Sequence, residues 1–101
     1  LLGYIVDIVG RTRDDARVEV GVSPRGSQRL LEAARARAVL EGREYVRPGD
    51  VTAAAGPVLA HRLVRTTDAT VDGTGSEAIL ADVLDAVPVP TVEEREATAE
   101  G

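Results

Sequence analysis

The chain contains no lysine and no cysteine; all twelve basic residues among its 101 are arginine. Each absence closes a class of chemistry. Without cysteine there is neither a disulfide framework nor a thiolate zinc site, and the single histidine, His61, does not make a histidine-rich metal centre. No metal ligands are therefore assigned on this chain. Without lysine, a phosphate-binding loop of the G-x-x-x-x-G-K-[ST] type lacks the residue that reaches the β- and γ-phosphates, so the segment is not a complete nucleotide hydrolase. No apolar run approaches the roughly 20 residues that span a bilayer, and no charged-then-apolar export signal opens the sequence. A cytoplasmic chain with no membrane partner is expected. The net charge of −5 argues in the same way against a general nucleic-acid binder, whose affinity comes mostly from basic side chains neutralising phosphates. The length predicts a single domain. Because Leu1 begins directly on an apolar, helix-like run, the natural polypeptide is expected to extend upstream.

The stretch that stands out is Gly21-Val22-Ser23-Pro24-Arg25. Ser23 suits an N-cap, since its hydroxyl can accept a hydrogen bond from an unpaired first-turn amide, and Pro24 then falls at the first helical position. Arg25 follows at the positive end of a helix dipole, where an acid is the favoured neighbour by roughly 0.3–1 kcal/mol. Two readings of Arg25 stand. In one, an anion docks on the corner, and first-turn amides and the guanidinium converge on the same phosphate oxygens. In the other, Arg25 is an exposed arginine whose stem covers apolar surface.

Upstream of this corner, Leu2, Ile5, Val6 and Val9, overlapped by Leu1, Tyr4, Ile5 and Ile8, recur at helical spacing. They predict an amphipathic helix with a wide apolar face that ends between Gly10 and Arg13, with Asp7 and Arg11 as an acid-before-base pair four apart. From Arg17 to Val22 the pattern alternates, placing Val18, Val20 and Val22 on one side; this is either a short strand or a loop pinned by three valines. The longest helix then runs from Ser23 to about Glu41. Its core face is Leu30, Leu31, Ala34 and Ala38, Val39 and Leu40 close its last turns, and Gly42 takes the left-handed turn that ends it. In the connector that follows, Tyr45 and Val46 are expected to tuck into the core.

Pro48 starts a third helix, with Asp50 in its first turn and Val51, Ala54, Ala55, Val58 and Leu59 as its stripe. Pro57 predicts a kink or restart at Gly56-Pro57. His61, at the end of this segment, reads as a cap or packing residue. Residues 65–75 are rich in Thr, Asp and Gly and read as a surface loop. Thr74-x-x-Glu77 has the form of a capping box, and Ile79, Leu80, Val83, Leu84 and Val87 predict a last helix stopped by Pro88 and Pro90. From Thr91 onwards the acidic tail has too little apolar surface to fold. The expected fold class is all-α: four helices with one strand-like entry.

Taken together, Gly21 to Arg25, Arg35-Ala36-Arg37-Ala38, Glu41-Gly42-Arg43-Glu44-Tyr45-Val46-Arg47-Pro48-Gly49-Asp50-Val51 and Leu59-Ala60-His61-Arg62-Leu63 resemble the C-terminal lid of MoxR-type AAA+ ATPases. The closing Val87-Pro88-Val89-Pro90 is similar to the end of such proteins. The resemblance implies a small four-helix lid over residues 1–90, followed by a disordered acidic tail, 91–101. It implies that the lid packs over ATP held, with its Mg²⁺, by an upstream α/β core, and that Arg25 is the sensor-2 residue reaching the terminal phosphate. Ser23 is implied as the cap, and Tyr4 and Ile8 as residues lining the adenine pocket. Gly26 departs from the family pattern, in which alanine is more usual, and is expected to loosen the first turn by something like 0.5–1 kcal/mol.

The family's cycle runs in homo-oligomeric rings, here expected as hexamers, that hydrolyse ATP to remodel or mature partner proteins, often ones with a von Willebrand A domain. Two other classes fit parts of the pattern. One is a helical nucleic-acid module of winged-helix or histone-like type, which the acidic total disfavours. The other is a stand-alone protein-interaction domain with no nucleotide role.

Overall fold

In the computed structural model, which describes residues 2–90, the chain runs through α1 (Leu2–Asp14), β1 (Val18–Val20), α2 (Pro24–Leu40), α3 (Pro48–Leu59), a 3₁₀ turn (Ala60–Arg62), β2 (Val64–Arg65), α4 (Thr67–Asp72) and α5 (Ser76–Ala86). Helices α1, α2, α3 and α5 enclose one core, in which Ile5, Ile8, Val22, Leu30, Val51, Leu59, Ile79 and Leu80 have almost no exposed surface. The mostly helical class is as the sequence indicates. The expected acidic tail, 91–101, lies outside the described residues.

Helix α1 buries one side of its wide apolar face and leaves the other exposed. Tyr4, Ile5, Ile8 and Val9 face inward, whereas Leu2 and Val6 are 61% and 57% exposed. Thr12 continues the inner stripe and is fully buried. Asp7 and Arg11 do not form the ion pair that their spacing suggests, among the described residues. At the other end of the core, α2 keeps its predicted inner face at Leu30, Ala34 and Ala38, but Val39 and Leu40 point outward at 70% and 86% exposure. They belong to the last turn of the helix. Gly42 closes the helix with φ 77°, a left-handed value that suits a residue without a Cβ.

The α2–α3 connection is polar where apolar packing was expected. Tyr45 is 41% exposed, its ring lying 5.4 Å from the Arg47 guanidinium carbon, and only Val46 of the pair packs against the core. The connection is fixed instead by Asp50, 2% exposed, which accepts from both Arg43 terminal nitrogens (2.6 and 2.8 Å) and from the Arg47 amide (2.8 Å). Arg43 also meets Glu41 at 2.6 Å. The Arg43 guanidinium holds the Asp50 carboxyl down at about 2, well below its ordinary value. Pro57 is absorbed within α3, which continues to Leu59 and only then tightens into the 3₁₀ turn; no restart occurs at Gly56-Pro57.

Two short elements replace the expected loop at 65–75. β2 pairs antiparallel with β1, Val18 opposite Arg65 and Val20 opposite Val64. An irregularity between Val18 and Val20 breaks the alternation, so that Val18 is buried and Val20 is 54% exposed. Next, Thr66 caps α4 by accepting from the Ala69 amide at 3.1 Å, and Gly73, φ 80°, ends it. The predicted capping box at Thr74 does not form. Gly75 is the N-cap of α5, and Thr74 is occupied elsewhere: its amide donates to Ala69 and its carbonyl accepts from Arg65.

Candidate functional site

The Gly21–Arg25 corner is clamped by the C-terminal turns of α1. Thr12 Oγ1 donates to the Val9 carbonyl (2.6 Å) and accepts from the Val22 amide (3.2 Å), while an Arg13 terminal nitrogen donates to the Val22 carbonyl (3.1 Å). Both backbone groups of Val22 are thus held by α1, and its side chain is fully buried. Close packing tightens the clamp, since a Cβ at Gly21 would come within 2.6 Å of Arg13 Cγ and 2.9 Å of Arg13 Cα.

From this anchor the chain turns into α2 through Ser23, whose extended backbone (φ −78°, ψ 166°) places it outside the helix as the N-cap. The Gly26 amide donates to the Ser23 carbonyl at 2.9 Å, and Ser23 Oγ lies at a longer 3.4 Å. At that length the hydroxyl adds little, so Pro24 and the clamped Val22 do most to aim the helix. A Cβ at Gly26 would overlap Val22 Cγ1. This reverses the expectation that glycine loosens the first turn: the bare backbone lets Val22 press against it.

Arg25 stands on this fixed turn with its side chain exposed, and among the described residues it makes no hydrogen bond or ion pair. Arg11 and Arg35 are likewise exposed and without a hydrogen bond or ion pair among the described residues, but they stand within helices and not at a helix start, and other arginines are engaged. Arg17 spans Asp15 and Asp82 at 2.8 Å each, Arg29 meets Glu32 at 3.1 Å, and Arg43 grips Asp50. A guanidinium on a rigid turn, uncompensated in an acidic chain, can take a bidentate oxyanion such as a phosphoryl group.

The other named residues do not gather at Arg25. Ile8 is fully buried and Tyr4 is 4% exposed; both are core residues of α1. They offer no surface to a base within this chain, so any influence on an adenine pocket goes through the placement of α1. Burial raises the Tyr4 phenol, and its hydroxyl has no hydrogen-bond partner among the described residues. His61 is exposed in the 3₁₀ turn. No group of three or more His, Asp or Glu side chains converges for a metal among the described residues.

The reading of the sequence missed Thr12 and Arg13. Thr12 was legible in principle: it sits three after Val9 and four after Ile8, on the buried stripe, where a hydroxyl must find partners. Arg13 carried no such signal, because its acceptor is set by how the chain folds back.

With this geometry in place, comparison with known proteins is decisive. A family model described as the AAA lid domain matches residues 10–83. The chain belongs to the AAA lid domain family. The lid is 45% identical over 87 residues to the uncharacterised protein YeaC of Bacillus subtilis, covering 86% of this chain and 27% of that protein. It is 40% identical to the chaperone MoxR1 of Mycobacterium tuberculosis, covering 91% of this chain and 27% of MoxR1. Over half of the lid, 50%, the protein MoxR of Paracoccus denitrificans is 61% identical, a match to 15% of that protein. Among solved structures, a Cytophaga hutchinsonii protein whose name suggests an ATPase superposes with a TM-score of 0.84 at 26% identity, covering 89% of the lid and 30% of its own chain. The lid therefore spans between a quarter and a third of the relatives that it matches over most of its length. No helix among the described residues is long and apolar enough to cross a membrane.

Proposed function

We propose that this lid reports the phosphate state of an ATP held by an AAA+ core in the parent protein, with Arg25 as the sensing group. The observation that carries the proposal is a guanidinium without an internal partner, on a helix start that α1 clamps through both backbone groups of Val22. In this reading Ser23 is the N-cap, Arg25 the residue that meets nucleotide, and Tyr4 and Ile8 the packing that sets α1 beside the adenine. Mg²⁺ belongs to the core.

The chemistry is differential affinity. A guanidinium that meets a γ-phosphoryl group in ATP and finds none in ADP favours the closed lid in one state only, so hydrolysis changes the lid's position. The same charge offsets negative charge during phosphoryl transfer, as arginines do in other nucleotide hydrolases. The nucleotide supplies the triphosphate, and the lid supplies orientation and one positive charge. The similarity to the chaperone MoxR1 supports a chaperone-like role for the parent, and we extend the reading to a homo-hexameric ring that remodels or matures partner proteins, including ones with a von Willebrand A domain.

The test is Arg25→Ala in the full-length protein. The rate of ATP hydrolysis is expected to fall at least tenfold, a smaller effect than that of arginines which stabilise the transition state directly in other nucleotide hydrolases. Its melting temperature is expected to hold, because an exposed side chain without partners contributes within about 0.5 kcal/mol. An unchanged hydrolysis rate overturns the proposal.

A further inference from the structure

Arg25 has a neighbour. Arg62, at the end of the 3₁₀ turn after α3, lays its stem across the first turn of α2: Arg62 Cδ lies 3.4 Å from the position a Gly26 Cβ would take. Its Nε donates to the Val58 carbonyl at 3.2 Å, which fixes the plane of the guanidinium. The side chain is half-buried, and among the described residues it has no acidic partner. Gly26 and Arg25 are adjacent in sequence, with Cα atoms about 3.8 Å apart. Two arginines without carboxylate partners thus meet the first turn of α2, one carried on it and one laid against it, in a chain whose net charge is −5. Like charges brought together on a helix start cost free energy unless an anion joins them.

We infer that Arg62 is a second phosphate-binding residue of the lid, acting with Arg25 on the same nucleotide. This rests on the proposed reading of Arg25. The two side chains divide the work by their mobility. Arg25 is exposed and free to follow the outermost phosphoryl group, and its loss discriminates ATP from ADP. Arg62 is pinned through Nε and through contact with Gly26, which leaves its two terminal nitrogens to donate to a phosphate close to the helix, present in both nucleotides. A pre-oriented guanidinium loses little side-chain entropy on binding, so a charge-assisted contact from it is worth about tenfold in affinity or more. Glycine at 26 fits this arrangement, since any side chain there meets Val22 and crowds the Arg62 stem.

The alternative role for Arg62 is structural, a cap on the C-terminal carbonyls of α3. The two are separated in the full-length protein by measuring equilibrium affinity for ATP and for ADP, with melting temperature, in Arg62→Met, Arg62→Lys and Arg25→Ala. Methionine keeps an apolar stem over Gly26 and removes the charge; lysine keeps the charge. The inference expects Arg62→Met to weaken ATP and ADP alike by about tenfold, Arg62→Lys to recover part of that loss although both variants lose the Nε bond to Val58 and melt alike, and Arg25→Ala to weaken ATP selectively. If Arg62→Met leaves both affinities unchanged while Arg25→Ala weakens ATP, the inference fails and the reading of Arg25 survives. If the Met and Lys variants lose affinity equally, the loss follows the Nε bond to Val58 and not the charge, Arg62 is a cap, and the inference fails. If Arg25→Ala changes nothing, the reading itself fails and the inference with it.

Discussion

Position 26 shows how a missing methyl group can be a packing requirement. Val22 Cγ1 occupies the volume a Gly26 side chain would need, and Val22 cannot retreat, because it is fully buried and both its backbone groups are bonded to α1. Gly26→Ala is thus expected to destabilise the lid by about 1–3 kcal/mol, the usual cost of overpacking, despite alanine's better helix propensity. Thermal unfolding checks this, and Val22→Ala in the same chain provides a second reading. The double variant is expected to be less destabilised than the sum of the single ones, because each removes what the other collides with. Strict additivity would mean that the two positions do not touch. At this scale the sequence was only partly readable. Ser23, Pro24 and Arg25 announce a helix start by residue type, whereas the fit between positions 22 and 26 depends on the angle at which α2 leaves α1.

Among the elements, the α2–α3 connection is held by charge. Asp50 has its carboxyl at about 2 in the folded chain through Arg43, against an ordinary unfolded value of about 3.9, so it binds its proton less readily when folded. Its contribution is therefore complete above about pH 4 and lost as the pH falls towards 2. Hydrogen bonding to Arg17 lowers Asp15 in the same direction, and Arg43 lowers Glu41. Asp50→Asn is expected to lower stability at pH 7 and to flatten the loss between pH 4 and pH 2, as followed by denaturant unfolding at a series of pH values. An acid profile as steep as the parent's would rule out Asp50 as its main source. The longer helices α1, α2, α3 and α5 were legible, because each repeats an apolar spacing several times. β2 and α4, at two and six residues, carry too few positions to show a period, and their Thr, Asp and Gly content looks like a loop. What makes them ordered is contact at a distance: β1 alongside β2, and the Thr66 amide donating to the Arg17 carbonyl at 2.9 Å.

For the molecule as a whole, charge is distributed so that most of the described arginines bond within the fold, while Arg25 is exposed on the first turn of α2 and the half-buried Arg62 lies against that turn without a carboxylate. On the proposed reading, the lid carries only part of a nucleotide site. The isolated chain is expected to show no ATP hydrolysis above background in a coupled-enzyme assay, since no lysine is present to reach the phosphates. Turnover by the purified chain that persisted through repeated chromatography would contradict the assignment of hydrolysis to the core. The family, the helix content and the candidate role of Arg25 follow from residue types in order. The inferred pairing with Arg62 does not, because 36 residues separate the two arginines and only the return of the chain after α3 brings the Arg62 stem against Gly26.

By itself the sequence determined that this chain is a helical lid with a cation at the start of its longest helix, because helix periodicity, caps and missing residue types are local properties. Tertiary structure alone decided which half of each apolar face is covered, that Gly26 must remain bare, and which arginines are spent on carboxylates. Those outcomes depend on distances between segments remote in the chain, and such distances exist only once the core has closed.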